Sequence, residues 1–346
     1  MAPLTTFLKG LTLTLLPLAI RQTGTFVPKP GNFPATGSDT IAGGIFCISL
    51  ADLATYLSRS GNNPGGTGTE SPRGAAAATS GSGPYPAQSF LDPSLPKHTI
   101  FAPKTPPAGN VSLPFIAWGN GGCGTDPAPF RNFLLEVASH GYVIAADGRA
   151  GGVGQSQMMV EDMKSALTWG TTGGANKYGN VNASAVTTMG QSCGGLEAMS
   201  SAYRDERVKR AVLLNIAIFQ DERRYLLQEI KIPVAWFVGG PKDMGYPNVS
   251  FTEIKWWWEV MLTNRNKAEK DYKLLNAGLP AYKANLDTGH GGTYTATNGG
   301  KFGKAVVAYL QWQWRGDEKS KAILLDPTSQ GSLVSDNWTV EHKNWS

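Results

Sequence analysis

The chain has 346 residues, enough to bury a large core, with 41% hydrophobic and 16% charged residues. That is the composition of a folded globular protein rather than of a disordered or fibrous one. The formal net charge is +5, but no dense Lys/Arg block accompanies it, so the excess does not read as a nucleic-acid surface.

Residues 1–20 read as a secretory signal peptide. Lys9 is followed by an apolar run over 11–20 that is too short to span a bilayer stably. Ala19 offers a small residue for cleavage, with Pro17 awkwardly close, and an uncleaved N-terminal anchor is the alternative. No later segment is long and apolar enough for a membrane span, so a secreted, extracellular protein without stable membrane insertion is expected. Asn-x-Ser/Thr triplets at Asn110, Asn182, Asn248 and Asn337 are glycan acceptors if the chain enters a secretory route; a fifth, at Asn344, lies too near the end to count. There are three cysteines, Cys47, Cys123 and Cys193, an odd number that leaves at least one outside an intrachain pair. No pair has metal-ligand spacing, so no metal site is expected.

Residues 21–84 form an N-terminal segment with one short helical stretch at 49–58. It contains a Gly/Ser/Thr/Ala/Pro tract at 62–83 that cannot bury enough apolar surface to order itself and reads as a linker. The organised domain spans 85–325, and 326–346 reads as a polar tail. Within the domain, strands are expected at 98–103, 114–118, 142–146, 181–189, 210–216, 233–238 and 282–286. Helices are expected at 128–139, 156–169, 196–207 and 303–314. The first of these helices places Phe130, Phe133, Leu134 and Val137 on one face. Alternating β and α units without hairpin signals predict an α/β fold, a mostly parallel sheet with helices on both faces. Ligands then bind at the carboxyl ends of the strands.

One such end carries Gly190-Gln191-Ser192-Cys193-Gly194-Gly195. Strand, glycine-flanked serine and helix are the context of a nucleophile elbow, in which the turn is too tight for side chains two residues either side of the serine. A serine nucleophile needs a base, and only four histidines are available. His98 opens a strand, His140 sits at a helix C-terminus where an imidazolium suits the dipole, and His342 falls in the tail. His290, in Asp287-Thr288-Gly289-His290-Gly291-Gly292, follows the last strand of the domain and is the base of choice. Asp243, beyond strand 233–238, is the acid that would orient it. Asp287 is too close to His290 in sequence to reach back to its ring, and Asp221 is a further competitor. Ser192, Asp243 and His290 then occur in the nucleophile–acid–base order of the α/β-hydrolases.

An oxyanion hole requires two backbone N–H donors. One is expected from Cys193, and the other from Asn120 or Gly121 in the turn Trp118-Gly119-Asn120-Gly121-Gly122-Cys123. Cys123 and Cys193 thus flank the hole, and a disulfide between them would clamp it, two small buried thiols being the alternative. Trp118 is expected to line the substrate pocket. Trp256-Trp257-Trp258 either forms a hydrophobic wall or packs a peripheral helix.

The turn 118–123, the helix after it, the elbow and Gly289-His290-Gly291-Gly292-Thr293-Tyr294 together resemble secreted fungal and bacterial α/β-hydrolases. These are the dienelactone-hydrolase, cutinase-like and polyester-hydrolase-like serine esterases. The resemblance implies the α/β-hydrolase fold, a Ser192–Asp243–His290 triad, no cofactor, and a small-molecule or polymeric ester as substrate. The same triad also supports acyl transfer, lactone opening or the tailoring of a secondary metabolite, and a catalytically silent binding protein is the alternative of a different class.

Overall fold

The computed structural model describes residues 40–47, 76–149, 151, 157–218, 221–243, 245 and 267–345. The signal segment, the helical stretch at 49–58, the tryptophan triplet and the triplet at Asn248 lie outside these residues.

Among the described residues nine strands form one sheet. They are β1 (Ala87–Leu91), β2 (His98–Pro103), β3 (Leu113–Gly119), β4 (Val143–Asp147), β5 (Val181–Gln191), β6 (Arg210–Leu214), β7 (Val234–Val238), β8 (Ala281–Asn285) and β9 (Thr339–Lys343), in the spatial order β1-β2-β4-β3-β5-β6-β7-β8-β9. β3 to β8 run parallel. β2 is antiparallel to β1 and β4, and β9 is antiparallel to β8. The α-helices are α1 (Arg131–Ser139), α2 (Val160–Thr171), α3 (Cys193–Ala202), α4 (Lys267–Leu274), α5 (Gly300–Arg315) and α6 (Glu318–Leu325).

β3, β4 and β7 are apolar on both faces because both faces are covered. Phe115, Ala117, Val143 and Ala145 enter one core with Met163 and Leu167 of α2 and Met199 of α3. Their neighbours Ile116, Trp118, Ile144 and Ala146 enter the other, with Phe133 of α1 and Val306 and Leu310 of α5. Alternation along each strand divides these residues between two layers. α1 ends as expected at His140, whose N–H donates to the Val137 carbonyl, while the N–H of Gly141, in the left-handed region behind it, donates to the Ala138 carbonyl.

Three expectations change. The stretch 326–346 is not a tail outside the domain, because β9 completes the sheet and Trp338 and Leu333 are buried in the second core. The end of the 62–83 tract is docked rather than free. The Ser82 N–H and hydroxyl both donate to the Glu136 carboxylate, at 2.7 and 2.6 Å, and Gly83 N–H donates to Ser139 Oγ. Residues 40–47 also belong to the core. Phe46 N–H donates to Ser200 Oγ at 3.0 Å, Arg223 holds the Ile45 carbonyl, and the Cys47 side chain is fully buried.

Candidate functional site

β5 runs directly into α3, and Ser192 is the residue between them. It has φ 55° and ψ −125°, a conformation that a non-glycine residue holds only at a cost of about 1–3 kcal/mol. Close packing of the backbone enforces it. A Cβ on Gly194 would meet the Gly119 carbonyl carbon and oxygen at 2.1 Å, and one on Gly190 would meet Gly194 O at 2.2 Å. The ends of β3 and β5 and the start of α3 therefore touch backbone to backbone, and the serine side chain is turned outward, half-buried.

Three side chains meet there. Ser192 Oγ lies 2.9 Å from His290 Nε2, and His290 Nδ1 lies 2.8 Å from Asp243 Oδ1. The carboxylate only accepts, so the ring proton sits on Nδ1, and Nε2 is left to accept from the serine hydroxyl. Asp243 is buried, and its Oδ2 accepts from the Gly239 N–H at 2.5 Å and from Asn215 Nδ2 at 2.9 Å. His290 keeps a side-chain exposure of 32%, so the ring is partly open to solvent. Such a line can draw a proton from a hydroxyl as that hydroxyl attacks an electrophile. Asp287 is exposed and is not the partner of His290; Asp221 opens a 3-10 helix over Asp221–Glu229.

The other histidines lie elsewhere. His140 faces Glu136 on the far side of the domain, and His342 is on the edge strand β9. His98 is buried, with Asp147 Oδ1 3.3 Å from its Nε2. Burial pushes His98 down to about 4, so the imidazole is neutral and this contact is not an ion pair. No N–H or hydroxyl reaches the carboxyl oxygens of Asp147 or of Glu197 on α3, and the two carboxyls are left to each other. Burial pushes both well above the usual carboxylate range, and at Glu197 the Asp147 charge adds to the rise. The folded protein thus holds protons that the unfolded chain releases. The stability this lends is fully present below the ordinary carboxylate range and is lost as the pH rises. Glu197→Gln, which needs no proton to stay neutral, is expected to raise the thermal midpoint by roughly 2–6 °C near pH 8.5 and to change it little near pH 4.5. Calorimetry at the two pH values checks this, and an equal shift at both would count against it.

Cys123 and Cys193 are bonded to each other, with Cα atoms 5.2 Å apart, which joins the turn after β3 to the residue after Ser192. Cys47 is the free thiol; burial pushes it up to about 12, leaving it unreactive. Asn120 N lies against Gly194, within 2.6 Å of where a Cβ on that glycine would stand. The Asn120 side chain is used within the fold. Its Nδ2 donates to the Gly124 and Asp147 carbonyls, and its Oδ1 accepts from the Trp118 indole N–H at 2.9 Å. The Asn120 side chain is thus committed within the fold and is not free to meet a ligand.

Trp118 does not line a pocket. It has no exposed surface and packs on Phe130 and Phe133, because alternation along β3 turns it under α1. What it contributes is the hydrogen bond that holds Asn120.

Three further residues at the site take no role from the sequence reading, although Gln191 lies inside the elbow hexapeptide and Tyr294 closes the run that begins at Gly289. Gln191 donates to the His290 carbonyl at 2.9 Å, and its Oε1 occupies the space where a side chain on Gly121 would begin. Asn215 follows β6 directly and touches Asp243. Tyr294 lies four positions beyond His290 and donates its hydroxyl to Asn215 Oδ1. For Asn215, the available signal was its position at a strand's carboxyl end. Of the glycan triplets, Asn110 and Asn337 are exposed. Asn182 Nδ2 already bonds to Ser112 Oγ at 3.2 Å, and Asn344 Nδ2 to the Ala277 and Leu279 carbonyls.

Among the described residues no group of three or more His, Cys, Asp or Glu side chains is arranged to hold a metal ion, and no helix is long and apolar enough to cross a membrane. A cleft of about 590 Å³ beside α1, α5 and α6, lined in part by Glu136, His140, Lys304 and Gln311, includes none of Ser192, Asp243 and His290. No family model matches the chain, and no curated protein matches it significantly.

Proposed function

We propose that the chain is a serine hydrolase of the α/β-hydrolase type that cleaves carboxylic esters through an acyl-enzyme. The observation that carries this reading is the hydrogen-bonded line Ser192–His290–Asp243, with the serine in a constrained turn between β5 and α3. Ser192 Oγ attacks the ester carbonyl carbon, and its proton passes to His290 Nε2. Asp243 stabilises the resulting imidazolium and fixes the ring. The carbonyl oxygen, now negative, receives the backbone N–H of Cys193 and that of Asn120 or Gly121, where the positive end of the α3 dipole adds to the field. Collapse of the intermediate expels the alcohol, which takes the proton from Nε2. Water then attacks the acyl carbon, gives a proton to Nε2, and the second collapse returns that proton to Ser192 as the acid leaves. The reading needs no metal or cofactor. The disulfide favours an oxidising compartment and so an extracellular site of action.

A panel of esters of varied acyl length, together with a polyester film, tests the reading on protein treated or not with a fluorophosphonate. Hydrolysis that disappears as the probe attaches to Ser192, located by peptide mass, is the expected result. Attachment to another residue with the same loss of activity would overturn it. Adding an alcohol or amine acceptor separates hydrolysis from transfer, since only transfer yields the new ester or amide.

A further inference from the structure

Asp243 has two oxygens, and only one faces His290. The other requires donors if the carboxylate is to stay in one orientation. Gly239 N–H supplies one and Asn215 Nδ2 the other. Asn215 is completely buried. Its backbone has φ 53°, which asparagine tolerates better than most non-glycine residues, and its N–H continues the ladder to Phe237 O at 2.8 Å. The residue leaves β6 in a left-handed step that carries its amide in between Asp243 and the histidine loop. There the same Nδ2 also lies 3.3 Å from the Gly289 carbonyl.

An amide can face either way, and here its neighbours decide. Asp243 Oδ2 and Gly289 O are both acceptors, so the NH2 must point to them. The Asn215 oxygen then needs a donor, and the Tyr294 hydroxyl is that donor. Burial, with the Asp243 charge adding to it, pushes the Tyr294 phenol well up, so the hydroxyl keeps its proton. The Tyr294 ring is held edge-on against Phe130, Phe133 and Phe302 and does not turn freely. Tyr294 and His290 share one loop. The contacts therefore close a ring, from Tyr294 to Asn215, to Asp243, to His290 and back along the chain to Tyr294.

We propose that Asn215 and Tyr294 are positioning residues for the hydrolytic reaction, acting in series: Tyr294 orients the Asn215 amide, and Asn215 orients Asp243 and the His290 loop. This rests on the triad reading above. Neither side chain can touch a substrate, since Asn215 has no exposed surface and Tyr294 is buried. Their removal must therefore act on the step in which charge develops on His290 and not on substrate binding.

The test measures kcat and KM for p-nitrophenyl acetate, with functional sites counted by fluorophosphonate titration, in wild type, Asn215→Ala, Tyr294→Phe and the double variant. Asn215→Ala is expected to lower kcat per titrated site about 10–100-fold with KM within about 2-fold. Tyr294→Phe, which keeps the ring and loses only the hydroxyl, is expected to lower kcat about 3–10-fold. The double variant should match Asn215→Ala within about 2-fold, because a residue that works through another adds nothing once the other is gone. Unchanged kcat per titrated site in both single variants, with only the melting temperature lowered, overturns the proposal and leaves the triad reading intact. So do losses that multiply in the double variant. Should Asn215→Ala fail to fold, Tyr294→Phe decides alone, wild-type kcat per site being the overturning result. A wild type that neither turns over nor labels removes both readings.

Discussion

Ser192→Ala is expected to lower kcat on any ester the protein turns over by roughly 10⁴–10⁶-fold, to the level left by oriented N–H donors and binding alone. The substitution removes one oxygen from a half-buried position and fills no space, so the melting temperature should stay within about 2 °C of wild type. Asp243→Asn is the sharper companion. Gly239 N–H and Asn215 Nδ2 both point at Oδ2. The introduced amide must keep its oxygen there and turn its NH2 toward His290 Nδ1. That nitrogen then becomes an acceptor, the ring proton moves to Nε2, and Ser192 loses the group that takes its proton. A fall of about 10⁴ in kcat with the fold intact follows from the wrong tautomer. Steady-state kinetics with site titration checks both variants. Residual kcat within about tenfold of wild type in either would remove the residue from its assigned role.

The second large effect concerns the disulfide. Cys123 and Cys193 are 70 residues apart in sequence. Closing a loop of that length restricts the unfolded chain by about 4 kcal/mol in the chain-entropy account. Cys123→Ala/Cys193→Ala is therefore expected to lower the melting temperature by roughly 8–16 °C. The loss in kcat should exceed what the stability change explains, because the bond joins the two turns whose N–H groups face the oxyanion in the proposed mechanism. Activity measured well below the melting point of the variant separates the two contributions. Wild-type kcat at that temperature would show that packing alone holds the hole. Reductant should reproduce the effect on the wild-type protein without engaging Cys47, which is fully buried and stays a thiol.

Much of the sheet is legible in the sequence because β3, β4 and β7 are covered on both faces and so appear as short apolar runs with glycine at or just beyond their ends. β1 and β9 are not legible for the converse reason. Ala87–Leu91 and Thr339–Lys343 are edge strands with mixed burial, and neither carries a run that separates it from loop. α4, with sequence KAEKDYKL, is too short and polar to show a face. The serine, aspartate and histidine are readable because histidine is scarce and each residue follows a recognisable strand. The roles of Asn215, Gln191 and Tyr294 escape, even where the residue sits inside a quoted motif, because an amide or phenol gains meaning only from what it faces, and those partners come from other strands and loops. Trp118 misleads for a related reason: closeness in sequence to the glycine turn suggests a pocket wall, while the period-2 alternation of β3 sends the side chain the opposite way.

The docking of residues 40–47 makes the sequential order of the chain differ from its mechanical order. Phe46 and Cys47 fill space against Ser200 on α3, the helix that begins immediately after Ser192, and a Cβ on Gly44 would meet Cys47 Sγ, Ser200 Oγ and Val160 Cγ2 within 3 Å. Residues 76–83 are fastened separately, to α1 and to the Thr295 carbonyl. Residues 40–47 and residues 76–83 are thus each held by the body of the protein independently of one another. A peptide-bond cleavage between those two segments would leave residues 40–47 held against the helix that begins after Ser192 by packing and hydrogen bonds alone.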